Sequence, residues 1–252
     1  MLHGLFGARG NFHSICKQLS QNGRKIVPYD ARNHGDSDHR PEMNYSVMAE
    51  DLLGLMADLK LDRPVVLGHS MGGKSAMTAA LRQPDALTAL IVADVAPNPS
   101  PHMSRMTDYA EAMRNVKLPE HLSVVKARAE ARLQLSSVVQ DRMVREFLLT
   151  NLREFAPQQI GWRINLDAII DHMDELARMP GLDSEPFTKP TLFIFGGDSD
   201  HYKNADFGLI KALFPAVHTE VIPGANHFLH ADKPLEFVEI VNNFVRDLDD
   251  SQ

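Results

Sequence analysis

The sequence predicts an α/β fold: a mostly parallel central sheet flanked by helices, with an all-helical insertion near its middle. Two observations carry this. Through the first hundred residues, short apolar runs alternate with stretches of helical period, and strand–helix–strand alternation favours parallel strands covered on both faces. From about Met103 to Arg178 the period is helical throughout, and strands resume afterwards. The 252 residues suit one such unit. The reading is a single domain over residues 1–252 with an insertion over about 99–187.

Each element follows from its pattern. Lys25–Tyr29 reads as a buried strand. Tyr45–Lys60 carries Val47, Met48, Leu52, Leu55, Met56 and Leu59 at helical spacing. Val65–Leu67 is a short strand after Pro64, Ser75–Arg82 a helix closed by Pro84, and Leu87–Ala93 the next strand. In the insertion Tyr109–Val116, Val124–Leu135, Met143–Leu152 and Leu166–Leu176 read as helices, broken at Pro119 and across Pro157–Gly161. Thr191–Phe195 and Val217–Ile222 read as strands, with helices over Ala205–Leu213 and Pro234–Leu248. The acidic end Asp247–Gln252 is expected to fray.

Composition removes several functions. The 26 basic and 33 acidic side chains give a net charge of −7; with no basic block, no nucleic-acid partner is expected. Cys16 is the one cysteine, so an internal disulfide and a multi-cysteine metal site are excluded; it reads as a packing residue of an early helix. The histidines lack metal-ligand spacing, and no metal or cofactor is expected. No apolar run approaches the roughly 18 residues of a membrane span.

The chemistry concentrates in Val65–Lys74, which holds Gly68-His69-Ser70-Met71-Gly72 between a predicted strand and a predicted helix. A sharp strand-to-helix turn strains the backbone of its central residue and needs small neighbours to close. Gly68 and Gly72 supply the room, Ser70 is the candidate nucleophile, and the Met71 N–H points where an oxyanion would form. A serine hydroxyl needs an adjacent base. His227, which follows the last predicted strand and the Pro223-Gly224 turn, is the candidate base. His3, His34 and His69 read as loop or packing residues, and His230 as a supporting or surface residue. The acid is open among three. Asp200 ends Gly196-Gly197-Asp198-Ser199-Asp200, after one strand; Asp94 follows Ile91-Val92-Ala93, one strand earlier; Asp167 lies in the insertion.

These motifs resemble the α/β-hydrolase family in their order: His3–Gly7, Asp30–Ser37, Gly68–Gly72 and Gly224–Phe228, from residue 3 to about 234. The resemblance implies a helical lid over Ser70 and makes the Leu5 N–H a second oxyanion donor beside Met71. Asp30–Ser37, Gly68–Lys74, Gln134–Gln140 and Trp162–Asp167 resemble more narrowly the α/β-hydrolase domain-containing protein eleven group. Its members are described as mitochondrial serine hydrolases of diacylglycerol lipase-like type. That implies hydrolysis of carboxylic esters, of lipid or medium-chain acyl type, through an acyl-enzyme on Ser70. The substrate is then a small-molecule ester or acylglycerol, and the address mitochondrial, with the cytoplasm otherwise. The same resemblance favours Asp94 over Asp200 as the acid, with Asp167 third. Serine at the elbow, where dehalogenases and epoxide hydrolases carry aspartate, argues against their chemistry. Met103, Met106, Tyr109, Met113, Phe147, Leu148 and Trp162 either line an acyl pocket or form the lid's own core, and helical spacing favours the core. Two alternatives use the same residues: a non-catalytic binding or protective protein, and a perhydrolase.

The start of the chain carries its own expectation. In this family the loop at His3 follows a third strand, which two others precede, but only Met1 and Leu2 stand before it. The N-terminal strands are therefore expected to be missing, with Met1 an internal methionine of a longer hydrolase. Unpaired backbone at a sheet centre is costly, so reduced stability and a poorly anchored Leu5 loop are expected.

Overall fold

The computed structural model describes residues 1–101 and 103–250, the side chain of Asn22 excepted. Helices α1 (His13–Leu19) and α2 (Tyr45–Asp58) precede strand β1 (Val65–His69), helix α3 (Met71–Arg82) and strand β2 (Ala89–Ala93). The insertion follows: α4 (Met103–Arg114), α5 (Val124–Leu135), α6 (Arg142–Leu149), β3 (Leu152–Ala156), β4 (Gln159–Trp162), α7 (Leu166–Asp171) and α8 (Met173–Ala177). Then come β5 (Thr191–Gly196), α9 (Asp200–Lys203), α10 (Phe207–Leu213), β6 (Val217–Ile222), α11 (Leu229–Asp232) and α12 (Pro234–Asp249). Ser251 and Gln252, the tip of the tail expected to fray, lie outside the described residues.

Strands β1, β2, β5 and β6 form a parallel sheet in that spatial order. The two inner strands are buried along their whole length, which is why they read as unbroken apolar runs. Alternation divides them between two cores. Leu90, Val92, Phe193 and Phe195 pack with Leu52, Met56, Met77 and Leu213 of α2, α3 and α10. Ile91, Ala93, Leu192 and Ile194 pack with Ile15 and Leu19 of α1 and Phe237 and Val241 of α12.

Two expected elements are corrected. Lys25–Tyr29 is not a strand; Tyr29 makes one parallel bridge, to Leu2, and Leu2 makes another to Gly68. Leu2 thus fills, as one residue, the place of a strand beside β1: its N–H donates to Leu67 O at 2.8 Å and its C=O accepts from His69 N at 2.9 Å. A ladder one residue wide leaves the run 25–29 with no strand pairing beyond that bridge. The insertion is also not all helical. Its β3–β4 hairpin is antiparallel and pairs Leu152 with Trp162.

The insertion has its own apolar cluster, including Met113, Leu135, Leu148, Leu149, Leu152 and Ile169, and the cluster extends down to Phe6 and Met71. Caps set its helices: Ser123 Oγ accepts the Lys126 N–H, and Asp141 Oδ1 accepts those of Met143 and Val144. Its base is pinned to α2 and α3 by polar groups. The Tyr45 hydroxyl donates to Leu176 O at 2.7 Å, and the wholly buried Lys74 donates from Nζ to Asn98 O at 2.9 Å and Ala177 O at 3.2 Å. Among the described residues, no helix is long and apolar enough to cross a membrane.

Candidate active site

Strand β1 ends in a turn at Ser70, whose backbone sits at φ 55° and ψ −119°, and α3 begins at the next residue. The flanking glycines are steric necessities. A Cβ on Gly68 would meet Gly72 O at 2.2 Å, and one on Gly72 would meet His3 O and the Leu2 Cβ at 2.6 Å. Ser70 N–H donates to Ala93 O at 3.0 Å, tying the turn to β2.

Asp94 follows β2, also at positive φ (50°), and its N–H donates to Ile194 O of β5 at 2.8 Å. His227 follows β6 in the turn before α11. The three side chains, from the carboxyl ends of three strands, converge. His227 Nδ1–H donates to Asp94 Oδ2 at 2.8 Å, and the Ser70 hydroxyl donates to His227 Nε2 at 3.0 Å. With the carboxylate fixing the proton on Nδ1, Nε2 is the acceptor. Asp94 is wholly buried and fully engaged. Its Oδ1 accepts the Gly196 N–H at 2.8 Å, and Oδ2 also accepts the Ser199 hydroxyl at 2.5 Å. Burial pushes its carboxyl up to about 6, against the pull of those two donors, so it is ionised at neutral pH. Burial lowers the His227 imidazole below its ordinary value, leaving it neutral there.

The other predicted residues separate clearly. Asp200 heads α9 and pairs with Lys203 Nζ at 3.6 Å, and Asp167 is exposed on α7, 3.5 Å from Arg114. Of the three candidate acids, Asp94 is the one bonded to His227. His69 donates from Nε2 to the His227 carbonyl at 2.8 Å and so holds the histidine loop. His230 is buried against His69 and Phe12. Tyr109, Met113 and Leu148 lie in the lid core, whereas Phe147 packs at a tilt against Phe228, next to His227, with ring centroids 5.0 Å apart. Cys16 is half-buried on α1 against Met1 Sδ, 3.6 Å away. Among the described residues, no group of acidic, histidine or cysteine side chains has the arrangement of a metal site.

A Cβ on Gly4, the residue before Leu5, would meet the Ser70 Cβ at 3.1 Å, so the Leu5 loop lies against the elbow, and Met71 follows Ser70 at the start of α3. The Leu5 loop, expected to be poorly anchored, is held within the chain. His3 Nδ1–H donates to Gly4 O at 2.8 Å while its Nε2 accepts the Ala31 N–H at 3.0 Å. Phe6 N–H donates to His34 Nε2 at 3.1 Å. Burial lowers both imidazoles, His34 to about 3, which keeps them neutral and able to accept. Ser199 was missed by sequence reasoning. A serine closing a Gly-Gly turn before a helix is an N-cap signal, and Ser199 Oγ does accept the His201 N–H, but nothing in the pattern announces its bond to Asp94.

A family model described as alpha/beta hydrolase fold matches residues 1–234. The chain belongs to the α/β-hydrolase family. Among members of that family, it is 44% identical over 246 residues to the sn-1-specific diacylglycerol lipase ABHD11 of Danio rerio, covering 97% of this chain and 77% of that one. It is 30% identical over 251 residues to Esterase YbfF of Escherichia coli, covering 98% and 92% of the two chains. A solved marine microorganism esterase superposes with a TM-score of 0.90 at 34% identity, over 96% of this α/β-hydrolase and 93% of that chain.

Proposed function

We propose that this α/β-hydrolase cleaves carboxylic esters through an acyl-enzyme on Ser70, with acylglycerols or medium-chain acyl esters as substrates. The observation that carries the reading is the unbroken hydrogen-bond chain from Ser70 through His227 to Asp94. Ser70 Oγ attacks the ester carbonyl and His227 Nε2 takes its proton. Asp94 holds the imidazole in the right tautomer and stabilises the imidazolium. The Leu5 and Met71 N–H groups stabilise the oxyanion as it forms, where prearranged donors act most strongly. His227 then protonates the departing alcohol, and water, deprotonated by His227, releases the acid and restores Ser70.

The acyl preference rests on two supports: relatives named as diacylglycerol lipases and esterases, and an apolar lid whose Phe147 reaches the histidine loop. A mitochondrial address belongs to the same proposal, on family resemblance.

A fluorophosphonate probe tests the nucleophile. Labelling of the folded chain that disappears in Ser70→Ala is expected; a folded wild-type chain that stays unlabelled favours a non-catalytic binding role. Hydrolysis of p-nitrophenyl esters of graded chain length, and of a diacylglycerol, then tests the substrate. Turnover of acetyl esters alone would overturn the lipid preference.

A further inference from the structure

One polar side chain of the lid is buried where an apolar one would pack. Asn151, between α6 and β3, is wholly buried beside the cluster that holds Leu148, Leu149, Leu152, Phe6 and Met71. Its backbone is clamped: its N–H donates to Leu148 O at 3.1 Å and its C=O accepts the Arg163 N–H at 2.9 Å. Its side-chain Nδ2 donates to Phe6 O at 2.7 Å and to Leu148 O at 3.3 Å. Two carbonyls on that side fix the amide's orientation, and Oδ1 is left buried with no partner among the described residues. An orphaned acceptor is a cost that leucine, of similar shape, would avoid. The donor end must repay it.

That end leads to the elbow through two peptide units. Asn151 donates to the oxygen of the Phe6–Gly7 peptide. The N–H of that same peptide, on Gly7, donates at 2.9 Å to Gly4 O, the oxygen of the Gly4–Leu5 peptide. The N–H of this second peptide is that of Leu5. Phe6 itself sits at φ 61°, a strained conformation for a phenylalanine, and its N–H is taken by His34. Hydrogen bonds in series polarise one another in a low-dielectric interior. A donor at the head of this series therefore makes the last N–H a better donor, and also holds its direction.

We propose that Asn151 is a positioning residue of the lid, which orients and polarises the Leu5 N–H toward the oxyanion through the Phe6–Gly7 and Gly4–Leu5 peptides. This rests on the acyl-transfer reading above. The lid then does more than cover Ser70: it sets the strength of one oxyanion donor.

The test compares Asn151→Ala and the shape-matched Asn151→Leu with Leu149→Ala, which opens a cavity in the same cluster without touching the series. Each is assayed on a short soluble ester, and each is titrated with a trifluoromethyl ketone, whose serine adduct carries the oxyanion. Because the donor is weakened and not removed, kcat is expected to fall by about tenfold in both Asn151 variants, less than the loss of a whole oxyanion donor. KM stays near wild type, and ketone affinity falls by the same factor as kcat. Leu149→Ala, if it lowers thermal stability, leaves ketone affinity unchanged. Asn151 variants that lose stability but keep wild-type kcat and ketone affinity would overturn the proposal, as would a loss of kcat with ketone affinity intact. A wild-type chain that binds no ketone and takes no fluorophosphonate would instead overturn the acyl-transfer reading beneath it.

Discussion

Asp94 and His227 stand 133 positions apart in the chain, and the carboxylate of one meets the imidazole of the other at 2.8 Å. The same carboxylate oxygen receives the Ser199 hydroxyl, and its twin receives the Gly196 N–H. Asp94 is thus held by β5 while it serves a histidine carried beyond β6. Asp94 follows the strand next to the one that ends at Ser70, and the loop after β5 supports it.

Substitution of the two acids separates their roles. Asp94→Asn keeps the shape but disfavours the needed tautomer, and kcat should fall by about 10⁴-fold. Asp200→Asn, which removes an exposed pairing with Lys203, should leave kcat close to wild type. Steady-state kinetics on one ester decides it; the reverse pattern would move the acid to Asp200.

The pH profile follows from the buried pair. Activity needs Asp94 ionised and His227 neutral, so protonation of either stops it. Burial sets the Asp94 carboxyl near 6 and lowers His227 below its ordinary value. The rate kcat/KM should therefore fall as pH drops, with an apparent midpoint at or below about 6 that belongs to the pair. A midpoint above neutrality, measured with a soluble ester, would contradict this arrangement.

Lys74 makes stability depend on alkaline pH. Burial against two carbonyls pushes its ammonium down from 10.5 to about 7. Below that value the folded and unfolded chains both hold the proton. Between it and the ordinary lysine value, the unfolded chain alone holds it, so stability rises with pH there. In urea titrations at about pH 7 and about pH 9.5, wild type should gain stability relative to Lys74→Met at the higher pH. A relative loss would mean that the amine stays charged in the fold.

Much of this was legible in the sequence, for identifiable reasons. Val217–Ile222 and Val124–Leu135 match the observed β6 and α5 end to end, because turn residues or a serine cap bound them. The hairpin of β3 and β4 was not legible. Arg153, Glu154 and Gln159 dilute its apolar alternation, and helical segments surround it. Lys25–Tyr29 carries the composition of a strand, yet pairing needs a neighbour, and a single residue, Leu2, supplies it. The candidate nucleophile and base stand out through local turns. The candidate acid does not, because β2 and β5 each end in a loop with an aspartate, and only the pairing of strands decides which one meets His227. Ser199 and Asn151 escaped for the same reason: each acts across more than a hundred positions.

The left-handed backbone at Ser70 has an outcome in thermal terms. A side chain held at φ 55° and ψ −119° stores about 1–3 kcal/mol of strain. Glycine there relieves it, against roughly 1 kcal/mol of extra chain entropy in the unfolded state. Ser70→Gly should thus be inert and yet melt no lower than the parent, whereas Ser70→Ala keeps the strain along with the inertness. The candidate nucleophile is thus held in a backbone conformation that glycine adopts more readily, and the glycine variant is the natural vessel in which to capture an intact ester.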